Sequence, residues 1–203
     1  MADEKTVQDA KEKLLAAATR LFDEKGFAGV SIRQLAEAAG VNSAMISYYY
    51  GGKEGLYEAV LITQYERLLK KFEAVAALEA PVDEKIRQYA EVIRLTHTAD
   101  QPLMARLIQG ELTSPTACME KVVRNYASRI VCIVGGILQE GINSGEMRTD
   151  IPLNYATMAL AGMINFFFIL REATRTMVPD LYLGDEEFVE AALKIYLKGM
   201  RRD

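Results

Sequence analysis

The chain has 203 residues, half of them hydrophobic, which allows a sizeable core and excludes disorder as a general description. Its net charge of −4 argues against a general nucleic-acid coat without excluding a local DNA face. One histidine, two cysteines and no nucleophile motif leave no recognisable metal site, catalytic residue or cofactor loop.

Hydrophobic spacing predicts an all-α chain of about nine helices. The opening MADEKTVQDAKEK has no apolar core and does not read as a signal peptide. Thr6 to Lys25 reads as the first helix, with Thr6-x-x-Asp9 as its cap and Leu14, Leu15, Ala18, Leu21 and Phe22 as its buried stripe. Ser31 and Gln34 form a capping box for the second, whose apolar face is Ile32, Leu35, Ala36 and Ala39. Gly40 allows the positive φ that ends it, Val41 fills the corner, and Asn42 caps the third. Only Ile46 and Tyr50 of that third helix point inward at i and i+4, so Asn42, Ser43, Ala44 and Ser47 face out. A helix showing short hydrogen-bonding groups to solvent, braced by the helix before it, suits the DNA major groove.

Lys53 to about Leu78 reads as one longer helix with Leu56, Val60, Leu61, Leu68 and Phe72 inward. Ala80-Pro81-Val82 breaks it, and Asp83 caps the next, which ends near Ala99. A short helix follows Asp100 and Pro102. Ser114-Pro115, an N-cap followed by proline at N1, opens a long helix to about Ile142 that Asn143-Ser-Gly145 stops. Asp150 to about Thr176 and Asp185 to about Met200 are the last two, separated by a loop around Pro179. Cys118 and Cys132 lie in an apolar helical pattern and read as buried thiols of a reducing cytoplasm. Ile151 to Leu170 is uncharged and long enough to span a bilayer. Pro152, Asn154, Thr157 and Asn165 argue instead for a helix buried on most of its surface, as at a subunit interface.

The spacing G-V-N-x-x-x-I-S-Y-Y-Y-x-x-K-E-x-L from Gly40 to Leu56 resembles the helix-turn-helix signature of the tetracycline-repressor (TetR) family. Ala16 to Gly26, followed by Phe27 and Ser31-Ile32, resembles that family's first helix and its junction. Ser47 and Tyr49 stand where the family usually has tyrosine and histidine, which alters potential DNA contacts. Tyr50 replaces a usual phenylalanine and is tolerated if its hydroxyl reaches water. The run from Gln101 to Thr116 is similar, over one short segment, to the CecR-like subgroup.

The resemblance implies a helix-turn-helix domain over residues 1–55 and a helical ligand-binding and dimerisation domain over 56–203, joined inside a continuous helix. Such a helix can pass a change in the C-terminal core to the spacing of paired recognition helices. DNA contacts are expected from Ser31, Arg33, Asn42, Ser43, Ala44, Ser47, Tyr48, Tyr49 and Lys53. Ser43 and Ala44 are the base-edge readers by position, and Lys53 resembles the family's phosphate lysine. Residues 1–56 carry seven Lys/Arg against eight Asp/Glu, so no basic run announces a DNA face.

An apolar stripe that includes Tyr155, Met158, Gly162 and Phe166, with Leu193 and Tyr196, suggests a four-helix dimer interface in which Asn165 sets the register. Polar interruptions of apolar faces nominate Arg94, His97, Gln109, Glu111, Tyr126 and Arg129 for a ligand pocket, with Met104 and Phe168 lining it. The expected protein is a cytoplasmic homodimeric regulator, a repressor that a small-molecule inducer releases from double-stranded DNA, with no membrane partner. The acidic balance keeps a second reading open: a helical ligand-binding or adaptor protein whose helix-turn-helix no longer binds DNA.

Overall fold

The computed structural model describes residues 2–98, 103–181 and 184–202. Among them are nine α-helices and no strand: α1 Ala2–Lys25, α2 Ile32–Ala39, α3 Ala44–Tyr50, α4 Lys53–Ala76, α5 Val82–Thr98, α6 Leu103–Thr113, α7 Arg124–Asn143, α8 Leu153–Met177 and α9 Asp185–Met200. A π-helical stretch, Met119–Val123, leads into α7, and a 3-10 turn, Pro179–Leu181, follows α8.

Four boundaries differ from the sequence reading. α1 begins at Ala2, ahead of the expected Thr6 cap, because residues 2–5 contain no helix breaker. α5 begins at Val82, which places Asp83 in its first turn, where it pairs with Arg201. Pro152 precedes α8. The long helix does not open at Ser114-Pro115. Thr116 takes over the capping, its carbonyl accepting from the Met119 N–H and its Oγ1 from the Cys118 N–H at 3.1 Å. The short helix after Asp100 and Pro102 is α6; those two residues lie outside the described ones.

The chain forms two compact units: Met1–Arg67 with Leu103–Tyr126, and Leu68–Pro102 with Ala127–Asp203. α4 contributes to both. In the first unit, Leu14, Ala18, Leu21 and Phe22 of α1, Leu35 and Ala36 of α2, Ile46 of α3 and Leu56, Tyr57, Val60 and Leu61 of α4 are buried. Phe22, Phe27 and Tyr57 form an aromatic triangle with centroids 4.8–6.0 Å apart. Of the residues expected inward, Ile32 is exposed at the start of α2, and Leu15 and Tyr50 are half-buried.

In the second unit, Phe72 packs on Tyr89 at 5.4 Å between α4 and α5. The buried Lys85 ammonium donates to Glu140 Oε2 at 2.6 Å and to the Ala76 carbonyl at 3.0 Å, so its charge is paired rather than stranded. The Tyr196 hydroxyl of α9 donates to the Ala156 carbonyl of α8 at 3.0 Å.

α8 passes the length and apolarity test for a bilayer span over Leu153–Arg171, the one such helix among the described residues, yet only 28% of that window is buried within the chain. The expected burial over most of its surface is therefore not supplied by the protomer itself. Two of its polar residues bond within the helix: Thr157 donates to the Leu153 carbonyl at 2.7 Å and Asn165 to the Ala161 carbonyl at 2.8 Å. Cys118 is buried as expected, but Cys132 is exposed on α7.

Candidate DNA interface

α3 has seven residues, too few to persist alone in water. Its position comes from its ends and from one side chain. At the preceding turn, Gly40 adopts φ 65°, a left-handed conformation that favours glycine. The Asn42 Oδ1 accepts from the Ala44 N–H at 2.8 Å, giving the expected N-terminal cap. Ile46 is 0% exposed and is the one buried residue of the helix. Tyr50 is half-buried, and its hydroxyl donates to the Lys11 carbonyl of α1 at 2.9 Å rather than reaching water. Burial raises its phenol pKa above the ordinary range. Gly55 in α4 is sterically required, since a Cβ there would lie 1.7 Å from the Tyr50 carbonyl oxygen.

These anchors leave Asn42, Ser43, Ala44, Ser47 and Tyr48 exposed, with Tyr48 83% accessible. On α2, Arg33 is exposed. The capping box forms as expected: the Gln34 N–H donates to Ser31 Oγ at 3.2 Å and the Ser31 N–H to Gln34 Oε1 at 2.8 Å. The Ser31 hydroxyl is therefore already engaged, which reduces its value as a free donor. Tyr49 and Lys53 are only half-exposed. Tyr48 and Tyr49 meet edge to face at 5.1 Å.

Sequence reasoning missed Lys11, whose ammonium lies 5.5 Å from the centre of the Tyr49 ring. The Lys53 ammonium sits 4.2 Å over Phe27 at the N-terminus of α4. Both contacts are within cation–π range. They place positive charge beside α3 without any basic run in the sequence, and Lys11 gave no linear signal because the rest of α1, all of α2 and most of α3 separate it from Tyr49.

The residues nominated for a ligand pocket separate between the units. In the first unit, Met104, Glu111 and Tyr126 are buried and Gln109 is exposed. Tyr126 stacks on Tyr65 at 5.2 Å. In the second, Arg94 pairs bidentately with Glu91 at 2.6 and 2.7 Å, and Arg129 lies at the surface 3.9 Å from Glu73. His97 stacks on Phe168 at 4.9 Å.

Burial first, then the nearby Arg171 guanidinium, pushes the His97 imidazole down to about 4, with Asp185 opposing. This is below its ordinary value of ~6.5, so the unfolded chain takes up the proton first. The stability contributed by neutral His97 is full above pH ~6.5 and is lost as the pH falls toward 4. Thermal melts should show a midpoint dropping across that window, and less steeply in His97→Gln. Equal slopes for the two proteins would contradict the assignment.

The expected interface residues also divide. Tyr155, Met158, Gly162 and Phe166 face outward. Leu193 and Tyr196 instead belong to the protomer's own core, and α9 presents Ile195 outward. Asn165 is half-buried, with its side-chain amide bonded to the Ala161 carbonyl of its own helix.

A short, outwardly polar helix braced by a second and locked onto a third, in an otherwise helical chain, defines a helix-turn-helix transcriptional regulator. Residues 14–60 match the family model for bacterial regulatory proteins of the tetR family, and residues 86–200 match the C-terminal domain of the HTH-type transcriptional dual regulator CecR. The chain belongs to the tetR family, in the group that carries a CecR-type C-terminal domain. It is similar to the probable HTH-type transcriptional regulator YttP of Bacillus subtilis (strain 168), 29% identical over 76% of this chain and 74% of that one. It is also 27% identical to the HTH-type transcriptional regulator RutR of Escherichia coli (strain K12), over 97% and 93% of the two chains. The fold matches that of the transcriptional regulator FadR from Bacillus subtilis in complex with stearoyl-CoA, with a TM-score of 0.75, 21% identity and coverage of 93% and 98%. AibR in complex with isovaleryl coenzyme A and operator DNA gives a TM-score of 0.69 at 18% identity, covering 92% and 97%.

Proposed function

We propose that the protein is a homodimeric, ligand-responsive repressor, non-enzymatic and cytoplasmic, whose two α3 helices enter major-groove half-sites roughly one helical turn apart (~34–36 Å). The observation that carries this reading is the architecture of α3: one buried anchor, the Asn42 cap at its start, the left-handed Gly51 (φ 74°) closing its end, and an exposed row of short polar side chains. Residues 1–55 do the DNA reading. Ser43 and Ala44 contact base edges, while Arg33, Asn42, Ser47, Tyr48, Tyr49 and Lys53 hold phosphates, with Ser31 in a lesser part.

Residues 56–203 supply dimerisation through the exposed face of α8. They also hold a small molecule that favours the form unable to engage both half-sites. The solved relatives described with acyl-coenzyme A ligands, one of them also with operator DNA, support a DNA-binding function under ligand control. The adaptor alternative is not favoured, because the tetR-family match covers α2 and α3 completely.

Lys53 provides the direct test. At the first position of α4 its ammonium joins the helix's own N-terminal N–H groups as an anion site. Lys53→Ala should weaken binding on specific and non-specific duplexes alike and lower the salt slope by about one for each phosphate no longer neutralised. Binding that is unchanged across several salt concentrations would remove Lys53 from the interface. Footprinting the DNA beside the protein's own gene would locate the operator used in that assay.

A further inference from the structure

A cavity of about 550 Å³ lies inside the first unit, between the end of α1, the start of α4 and the segment from α6 to Cys118. That volume is in the range of small-molecule sites. The aromatic triangle of Phe22, Phe27 and Tyr57 forms one side, and Glu111 of α6 lines another. Glu111 is 1% exposed, and the partners that hold its carboxylate are neutral: the Thr116 N–H at 3.1 Å and the Thr116 hydroxyl at 2.8 Å. Among the described residues no cation pairs with it. Of the basic side chains on the wall, Arg106 is held bidentately by Asp23 at 2.5 Å, and Lys25 is exposed to water. The negative charge of Glu111 helps push the Tyr57 and Tyr65 phenols above their ordinary range, after burial itself.

A buried carboxylate neutralised by no cation, lining the same cavity as rings whose π-faces attract positive charge, is an incomplete ion pair. We propose that this cavity is a ligand site for an organic cation, an amine or ammonium carried on an apolar body, with Glu111 as its counter-ion and the aromatic triangle around its body. The charge completes the pair that the protein leaves open, and the apolar body occupies the volume between α1, α4 and α6. The site is built on α1 and α4, the helices that carry the Lys11 carbonyl bonded by Tyr50 and the Lys53 ammonium. An occupant therefore acts on the DNA-reading unit itself. Only that consequence rests on the DNA-binding reading; occupancy of the cavity does not.

The test uses three molecules with one body and different heads: 4-phenylbutylamine, 4-phenylbutanol and 4-phenylbutyrate, titrated calorimetrically into the full chain without DNA. The amine should bind at least tenfold more tightly than the alcohol, and the carboxylate least. Glu111→Gln, which keeps the shape and an oxygen acceptor for Thr116, should bring the amine to the level of the alcohol. Gly110 lines the cavity, and a Cβ there meets open space. Gly110→Leu should therefore fill the volume without a clash and abolish binding of all three.

Equal affinities in the parent chain, a preference for the amine that survives Glu111→Gln, or amine binding that survives Gly110→Leu would each overturn the proposal. If Glu111→Gln does not fold, Gly110→Leu decides alone. A chain that binds the amine but shifts no duplex would keep the site and refute the DNA-binding reading.

Discussion

Phe166→Glu should sediment as a monomer at concentrations where the parent chain is a two-subunit particle. α8 exposes Tyr155 at 66%, Met158 at 57% and Phe166 at 61%, with Gly162 between them, a helical spacing that puts these residues on one face. α9 adds Ile195 at 67%. Contiguous apolar surface of this kind marks an interaction site. In a two-fold interface each substitution enters twice. Losing a buried Phe forfeits about 1.5–3 kcal/mol per copy. Burying a carboxylate in its place adds an effective desolvation penalty of several kcal/mol per ion. With each 1.4 kcal/mol worth a factor of about ten, dimer affinity should fall by at least ~100-fold, and operator binding should fall with it, since half-sites are then engaged singly. A particle of unchanged size in sedimentation velocity would remove this face of α8 from the interface.

Ile46→Ala should have the largest effect on the reading head. Truncating a fully buried isoleucine typically costs ~2–5 kcal/mol, against a total stability of only about 5–15 kcal/mol for a domain. The effect is concentrated because α3 buries no other residue, so the cavity lies directly under the recognition helix. The melting midpoint should drop by several degrees and operator affinity by more than tenfold. Ile46→Val, at ~0.5–1.5 kcal/mol, should keep both close to the parent. An Ile46→Ala protein with unchanged melting and unchanged operator shift would mean that α3 is held mainly by the Tyr50 hydroxyl and the helix ends.

What was legible depended on how local the governing interaction is. The capping box of Ser31 and Gln34, the left-handed Gly40, the Asn42 cap and the inward pair Ile46 and Tyr50 all follow from neighbours within one or two turns. They were readable for that reason. Ser114-Pro115 had the local pattern of a helix start, and Thr116 displaced it because the Glu111 carboxylate reaches forward to the Thr116 N–H and hydroxyl. Leu193 and Tyr196 had the pattern of an exposed apolar stripe, and their burial against the protomer's own helices was decided by how α9 packs on α8. Cys132 falls on the open side of α7 for the same kind of reason. Periodicity reports that a helix has an apolar face, not which of two apolar faces meets the protomer and which is left for a second subunit.

From the sequence alone came the all-α class, the reading head and its outward residues, because backbone capping and helical period act over a few residues. The tertiary structure decided where charge gathers and where space remains. Lys11 reaches Tyr49, and Glu111 meets Tyr57, only after helices distant in the chain pack together. Electrostatic and cavity properties depend on distances through space, which no linear pattern records.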